Sequence, residues 1–127
     1  MIVIIAGSRG ITDYDLAAHI IESSGWKIDE VCCGLAKGVD TLGEKWALAN
    51  EIPIKFFPAK WKMHGRSAGV IRNIEMAEYA GGLIAIWDGY SRGTMHMIRI
   101  AKEKNLHVIV WNQRLMEFMN NYERNGK

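Results

Sequence analysis

The sequence contains very little cysteine, which limits the kinds of protein it can be. The only two cysteines among 127 residues are neighbours, Cys32 and Cys33, within an apolar segment. Adjacent cysteines rarely form a structural disulfide and do not have the spacing of a zinc site. We therefore expect two buried, reduced thiols, no bound metal and a cytoplasmic protein, because disulfide scaffolds belong to oxidising compartments.

Long apolar runs and an excess of one charge are also missing. No stretch approaches the roughly 18–20 apolar residues that span a membrane. The N-terminus, MIVIIAGSRG, lacks the positively charged start and longer apolar core of a signal peptide. Sixteen basic and fourteen acidic residues leave a net charge of +2, whereas nucleic-acid-binding domains concentrate basic charge. These absences predict a soluble chain with no membrane partner and argue against a nucleic-acid partner.

Short apolar segments alternate with helix-like segments along the chain. Apolar, β-branched runs predict strands over residues 1–6, 29–33, 52–57, 83–87 and 107–111, with the only two prolines, Pro53 and Pro58, bounding the third. Apolar residues at helical spacing predict helices over residues 13–24, 41–50, 70–80 and 94–104. Thr41 and Glu44 have the spacing of a capping box that opens the second helix. Residues 59–69 are predicted to form a basic, aromatic-bearing loop.

The C-terminal segment, residues 112–127, has its own helical pattern. Large apolar residues recur at i, i+3, i+4 and i+7, namely Leu115, Phe118, Met119 and Tyr122. This spacing predicts a short amphipathic helix that packs on the domain or on a partner. With no linker or internal repeat, residues 1–127 are interpreted as one domain.

The alternation of strands and helices predicts the fold class. It favours an α/β protein with a Rossmann-like open parallel sheet of about five strands, in the order 3-2-1-4-5, with helices on both faces. Ligands of such sheets bind beyond the carboxyl ends of the strands, where the strand order reverses. That point lies between the first and fourth strands, and the loops that follow them are 7–10 and 88–93.

These two loops carry the best candidate site. The second loop leads into a predicted helix through Ser91, Arg92, Gly93 and Thr94. Backbone N–H groups at a helix N-terminus, a close-approach glycine, hydroxyls and an arginine are suited to a phosphate group. The same residues can be a plain N-cap beside a solvated arginine. In the first loop, Gly7, Ser8 and Arg9 are either part of the ligand site or a tight turn.

Other candidates flank the crevice, and each has a structural alternative. Asp40, in the loop that contains Gly34 and Gly38, can accept ribose hydroxyls, but the residues favour a helix cap. Arg72 and Glu75 can project toward the crevice, but their i, i+3 spacing favours a surface ion pair. Trp61 in its basic loop can stack on a nucleobase or fold onto the core beneath a solvated loop, and Tyr90 is a second stacking candidate. No catalytic triad, paired carboxylate or metal set is evident, and no cofactor is expected.

Several short motifs together resemble a known family. They are GSR at residues 7–9, GxxxGVD at 34–40, FPAxW at 57–61, HG at 64–65, AGxxRNxEMA at 68–77 and WDGxSxGT at 87–94. The chain is similar, from residue 1 to about 111, to the YspA-like, cpYpsA-related branch of the SLOG superfamily. That superfamily includes the lonely guy phosphoribohydrolases, the DNA-processing protein DprA and nucleotide-sensing domains. The resemblance implies a Rossmann-like fold that binds nucleotides or nucleotide-derived signals, often as a dimer.

The resemblance also sharpens the site. It implies that Arg72, which has Asn73 beside it, matches an arginine of the phosphoribohydrolases. It also implies that residues 91–94 replace their glycine-rich phosphate loop. Those enzymes need a glutamate three residues after the threonine of that loop, where this sequence has Met97, so Glu75 is the acid/base if this chain is an enzyme. The candidate ligand-binding residues are Gly7, Ser8, Arg9, Gly34, Gly38, Asp40, Trp61, Arg72, Asn73, Asp88, Tyr90, Ser91, Arg92, Gly93 and Thr94.

Two functions follow from these expectations. The first is a binding module that senses or sequesters a nucleotide-derived small molecule, for which a homodimer and a phage or mobile-element origin fit. The second is a nucleotide N-glycosidase that releases the base from a nucleoside monophosphate. A carboxylate normally stabilises the developing oxocarbenium charge or activates water, and methionine can do neither. The sequence therefore favours binding over hydrolysis.

Overall fold

A computed structural model describes residues 1–34 and 38–125, with side chains described as far as residue 123. Five strands form one parallel sheet, with β1 at Ile2–Gly7, β2 at Glu30–Cys33, β3 at Ile54–Phe56, β4 at Gly82–Trp87 and β5 at His107–Asn112. The helices are α1 at Tyr14–Ser23, α2 at Val39–Ala49, α3 at Trp61–His64, α4 at Ala68–Tyr79, α5 at Arg92–Glu103 and α6 at Gln113–Asn125.

The strand order is β3-β2-β1-β4-β5, and every pair is parallel. Both the fold class and the strand order predicted from the sequence are confirmed. The register brings Gly7, the last residue of β1, opposite Ile86 near the end of β4. The strand order reverses between these two strands, and a crevice forms beyond their carboxyl ends.

Two apolar clusters cover the two faces of the sheet. Val3 and Ile5 of β1 point into a cluster with α1 and α2, whereas Ile4 and Ala6 point into a cluster with α4 and α5. This alternation is the period of two expected of a strand, and burial on both faces explains the continuous apolar runs. Cys32 and Cys33 are buried free thiols on opposite faces, as the sequence predicted.

Helix α2 begins two residues earlier than predicted. Its N-cap is Gly38, whose φ of 78° is accessible mainly to glycine, and the Leu42 N–H donates to the Gly38 carbonyl oxygen. Asp40 is therefore not the N-cap but lies within the first turn. The predicted capping box of Thr41 and Glu44 is wrong for the same reason.

The segment predicted as a loop over residues 59–69 is mostly helical. It contains α3, a 3₁₀ turn at Gly65–Ser67 and the first residues of α4. Strand β3 spans only Ile54–Phe56, whereas the sequence predicted residues 52–57. Short helices of this kind have little internal stability, so a sequence pattern of only one turn does not reveal them.

Helix α6 follows β5 without an intervening loop, and the predicted amphipathic tail helix is confirmed as far as residue 125. No helix within the described ranges has both the length and the apolar character needed to cross a membrane.

Candidate functional site

A hydroxyl group joins the two loops at the switch point. The Ser8 side chain is buried, and its Oγ accepts a hydrogen bond of 2.9 Å from the Asp88 N–H. The Ser8 N–H in turn donates to the Ile86 carbonyl oxygen over 3.1 Å. Ser8 therefore joins the loop after β1 to the loop after β4 and lies outside the cleft lining, which fits the predicted tight turn better than the predicted ligand contact.

Asp88 shapes the loop that follows β4. Its Oδ1 accepts hydrogen bonds from the N–H groups of Tyr90, at 2.7 Å, and of Ser91, at 2.8 Å. Burial by itself would raise the pKa of Asp88, but these bonds and one with the Ser8 hydroxyl outweigh it and lower the pKa below its ordinary value. Asp88 is thus an ionised turn residue, outside the cleft lining.

Helix α5 starts at Arg92, two residues before the predicted start at Thr94. Ser91 is the N-cap, and its Oγ accepts from the Thr94 N–H and from the Thr94 hydroxyl, at 3.4 and 3.2 Å. The N–H groups of Arg92 and Gly93 have no acceptor within the described part of the protein. Together with the helix dipole, they give this end of the cleft a preference for an anion.

Arg72 connects three elements at the floor of the cleft. Its Nη1 donates to the Gly34 carbonyl oxygen over 2.6 Å and to that of Phe57 over 3.4 Å. The guanidinium thus joins α4 to the segments that follow β2 and β3. The predicted surface ion pair with Glu75 is wrong, because the Arg72 side chain turns into the crevice and Glu75 stays exposed. A side chain at position 34 would overlap this guanidinium, so only glycine leaves the space that the Arg72 guanidinium occupies.

The Arg72 guanidinium lies near both a negatively and a positively charged side chain. Burial lowers the pKa of its guanidinium, Arg9 acts in the same direction, and Asp40 opposes both. An arginine remains protonated under such a shift because its ordinary pKa is above 12. Arg9 and Asp40 are therefore electrostatic neighbours of Arg72, as expected if the loops after β1 and β2 meet at one site.

His96 lines the cleft but is not among the ligand-binding residues predicted from the sequence. The Asn73 Oδ1 accepts from the Arg72 Nε at 3.1 Å, so the Asn73 amide nitrogen faces the His96 Nδ1, also at 3.1 Å. An amide N–H is a donor, so Nδ1 must accept and the ring proton is assigned to Nε2. Burial, reinforced by Arg99 and opposed by Glu103, lowers the pKa of His96. This lowered pKa favours the neutral form of the His96 ring at pH 7.

The cleft enclosed by these elements has a volume of about 440 Å³. Most of its lining comes from the end of β1 and from α4 and α5. The lining residues are Ala6, Gly7, Arg9, Asp40, Trp61, Arg66, Gly69, Val70, Arg72, Asn73, Met76, Ser91, Arg92, Gly93, Thr94, His96 and Met97. The structure therefore brings ten of the fifteen candidate ligand-binding residues into one cavity.

Five candidates lie outside the lining. Gly34 supports Arg72 from behind, and Gly38 packs against the backbone of the loop after β1. Ser8 and Asp88 hold the loops together, as described above. Tyr90 is exposed, and its ring contacts Arg114 of α6, whose guanidinium carbon is 4.7 Å from the ring centroid. Residues 35–37 of the loop after β2 lie outside the described residues.

Some lining residues were not predicted because they reach the cleft through their position on a helix face and through the packing of one helix on another. Met76 extends the α4 series of Gly69, Arg72 and Asn73, while His96 and Met97 follow Gly93 on α5 at i+3 and i+4. That spacing puts each group on one helix face, but only the packing of α4 against α5 turns both faces toward one cleft. Arg66 belongs to the 3₁₀ turn that the sequence did not reveal.

Carboxylates and metal ligands are sparse at the cleft. Met97, at which the resemblance to the phosphoribohydrolases would place a glutamate, is almost completely buried in the cleft wall. Glu75 lies on α4 outside the lining. Within residues 1–34 and 38–125, no group of three or more histidine, cysteine, aspartate or glutamate side chains is placed to hold a metal ion.

The fold and the cleft define a Rossmann-type α/β protein with an arginine-lined pocket at the switch point of its sheet. The model of the YspA, cpYpsA-related SLOG family matches residues 1–64. The Gene 61 protein of Mycobacterium phage D29 is 34% identical over 118 residues, which cover 84% of this chain and 93% of the phage protein. No solved structure is significantly similar. The chain belongs to the YspA, cpYpsA-related SLOG family, and this membership suggests nucleotide-related binding or processing.

Proposed function

We propose that the protein binds a nucleotide-derived small molecule with at least two phosphate groups in the cleft between α4 and α5, and that it senses or sequesters this ligand. The observation that carries the proposal is the charge of the lining. Among the described lining residues, four arginines, Arg9, Arg66, Arg72 and Arg92, face the cavity with one carboxylate, that of Asp40. Surface arginines are usually dispersed, and their convergence at a helix N-terminus favours a phosphorylated ligand.

The number of phosphates follows from this charge. Among the described lining residues, four guanidinium groups and one carboxylate leave a net charge of +3, because the lowered pKa of His96 favours its neutral form at pH 7. A phosphate monoester carries about −1.5 to −2 at pH 7, so one phosphate leaves positive charge unbalanced. A diphosphate or a dinucleotide matches the cleft better. The exposed N–H groups of Arg92 and Gly93 are the natural position for one phosphate.

The remaining lining residues suit the other parts of such a ligand. The cleft volume of about 440 Å³ is within the usual range for small-molecule sites. Trp61 lines the cleft but is largely exposed, so its ring is available to stack on a nucleobase. His96 Nε2–H supplies a neutral donor, and Asp40 supplies a carboxylate that can accept from a ribose hydroxyl.

The N-glycosidase alternative gains less support. It requires a carboxylate close to the ribose C1′, and Glu75 projects from α4 outside the cleft lining. Met97 fills the other position at which a carboxylate would act. The phage relative fits the idea of a phage or mobile-element protein. Such a protein can act by binding a nucleotide signal, without any catalytic step.

The proposal is tested by calorimetric titration and thermal shift of the purified chain with adenosine, AMP, ADP and ADP-ribose, and with the guanine equivalents. We expect binding to strengthen with phosphate number and to weaken with added salt. Arg92→Met is expected to weaken binding about 10–100-fold, the effect of losing a charge-assisted hydrogen bond. Arg99→Met is the matched control, because Arg99 is exposed on the same helix and outside the cleft lining.

Three outcomes count against the proposal. No binding of any phosphorylated compound would remove its basis, as would equal effects of Arg92→Met and Arg99→Met. Equal affinity for adenosine and ADP would show that the arginines do not recognise phosphate. Release of free base from a nucleoside monophosphate, followed by chromatography, would revive the enzymatic alternative instead.

A further inference from the structure

The apolar stripe of α6 is not covered by its own domain. Its large apolar side chains are 46–63% exposed, namely Leu115, Phe118, Met119 and Tyr122. Four such residues on one face of a thirteen-residue helix form a contiguous apolar surface. Large contiguous apolar patches on the surfaces of soluble proteins usually mark interaction sites. The amphipathic pattern thus needs a partner surface that the described domain does not supply.

A second apolar surface lies between α1 and the edge strand β5. This α1–β5 groove has a volume of about 290 Å³ and is lined chiefly by Leu16, His19, Ile20, Ser23, Ile109 and Trp111. Helices α1 and α2 contribute the core of this sheet face, on which Ile109 and Trp111 are only partly buried. Among the described helices, none lies over β5 on this face. The groove therefore has the position of a missing helix in a layered α/β fold.

The connection between β5 and α6 prevents the helix from filling its own groove. Helix α6 begins at Gln113, directly after Asn112, the last residue of β5. The Asn112 Oδ1 accepts from the Leu115 N–H at 3.1 Å, and Arg114 contacts the Tyr90 ring, so the start of the helix is fixed. A helix that returns along its preceding strand needs a connecting loop, usually of two to six residues. None is present here.

We propose that the α6 helix of each copy lies in the α1–β5 groove of a second copy, which gives a symmetric dimer. Helix α6 is about 20 Å long at 1.5 Å per residue, and the six residues of β5 also extend about 20 Å. The stripe and the groove are both mainly apolar. Each chain has one of each, so two chains can cover both stripes and both grooves. Reciprocal exchange buries both stripes and both grooves in one closed, two-fold interface. This inference does not depend on the proposed ligand.

The experiment is sedimentation equilibrium of the full chain over a range of concentrations. We expect the wild type to have twice the chain mass of 14.4 kDa. The double variant Leu115→Glu, Phe118→Glu is expected to sediment as a monomer. The matched control is Asn120→Glu, Asn121→Glu, which adds the same two charges to α6 outside its apolar stripe and should remain a dimer.

A second pair of substitutions tests the groove. His19 and Ser23 are already exposed on α1, so His19→Glu, Ser23→Glu is expected to preserve the fold and to produce a monomer. Circular dichroism and thermal melting of each variant verify folding. A monomeric wild type overturns the proposal. So does a groove variant that stays dimeric while the α6 variant dissociates, because α6 would then pair with a second α6. A monomeric Asn120, Asn121 variant also contradicts it.

Discussion

Arg72 and Arg92 line the same cleft but differ in what holds them, and this difference gives a sharp prediction for Arg72→Met. The Arg72 guanidinium donates to the Gly34 carbonyl oxygen over 2.6 Å and to the Asn73 side chain over 3.1 Å. Methionine keeps most of the stem packing but removes both of these bonds and the longer one to the Phe57 carbonyl oxygen. Each hydrogen bond to a charged group contributes about 1.5–3 kcal/mol, and release of the desolvated charge offsets part of that loss. We expect the free energy of unfolding to fall by about 2–3 kcal/mol.

The corresponding change in melting temperature follows from the chain length. An unfolding entropy of about 2.1 cal/mol/K per residue gives roughly 0.27 kcal/mol/K for a chain of 127 residues. The Tm of ligand-free Arg72→Met should therefore drop by about 7–11 °C. Differential scanning calorimetry and urea unfolding, with unchanged m-value, measure the effect.

Arg92→Met is the contrasting variant. Arg92 is exposed at the N-terminus of α5, where a cation opposes the helix dipole. Its removal should change the free energy of unfolding by less than about 0.5 kcal/mol, and the Tm by less than about 2 °C. The reasoning is refuted if Arg72→Met melts within 2 °C of the wild type, or if Arg92→Met destabilises the protein equally.

Three further predictions concern the backbone, acid stability and the thiols. Gly38→Ala should cost about 1–3 kcal/mol because φ is 78° and a Cβ would meet the backbone of the loop after β1, whereas Gly10→Ala, which meets nothing within 4 Å, should be nearly neutral by urea unfolding. The lowered pKa of Asp88 means that its stabilisation is present above its unfolded pKa and is lost as the pH falls through its lower folded value. The stability gap between the wild type and Asp88→Ala should therefore be largest at neutral pH and shrink below about pH 4, and a gap that does not vary with pH would contradict this. Burial, reinforced by Glu30, raises the pKa of Cys32 to about 12, and burial also raises that of Cys33, so neither thiol should react with a thiol reagent at pH 8 until the protein unfolds.

The sequence predicted the sheet well because its signal is local and repeated. Each strand is a short apolar run, and burial on both faces requires the whole run to be apolar, as in β1 with Val3 to Ala6. The strand order followed from the right-handedness of crossovers and from the usual preference of doubly wound sheets. Helix starts were less accurate because Gly38 and Ser91 begin their helices before the residues that the capping rules favoured.

The sequence predicted where the cleft lies more accurately than which side chains line it. The glycines and arginines of the loops after β1 and β4 indicated the switch point. The sequence could not distinguish Ser8, which joins the loops, from Arg9, which lines the cleft, because adjacent residues differ only in the direction of their side chains. The sequence also could not show that Arg72 enters the cleft without pairing with Glu75, because their spacing on the helix fits a surface ion pair.

By itself, then, the sequence determined the alternating strands and helices, the position of the crevice and the amphipathic character of α6, because each depends on residues close together in the chain. Only the tertiary structure decided which side chains converge. The packing of α4 against α5 brings Arg72, Asn73 and His96 into one hydrogen-bonded series. The absence of a loop after β5 leaves the α6 stripe exposed. Both depend on the relative placement of whole elements, which is fixed by contacts between distant parts of the chain.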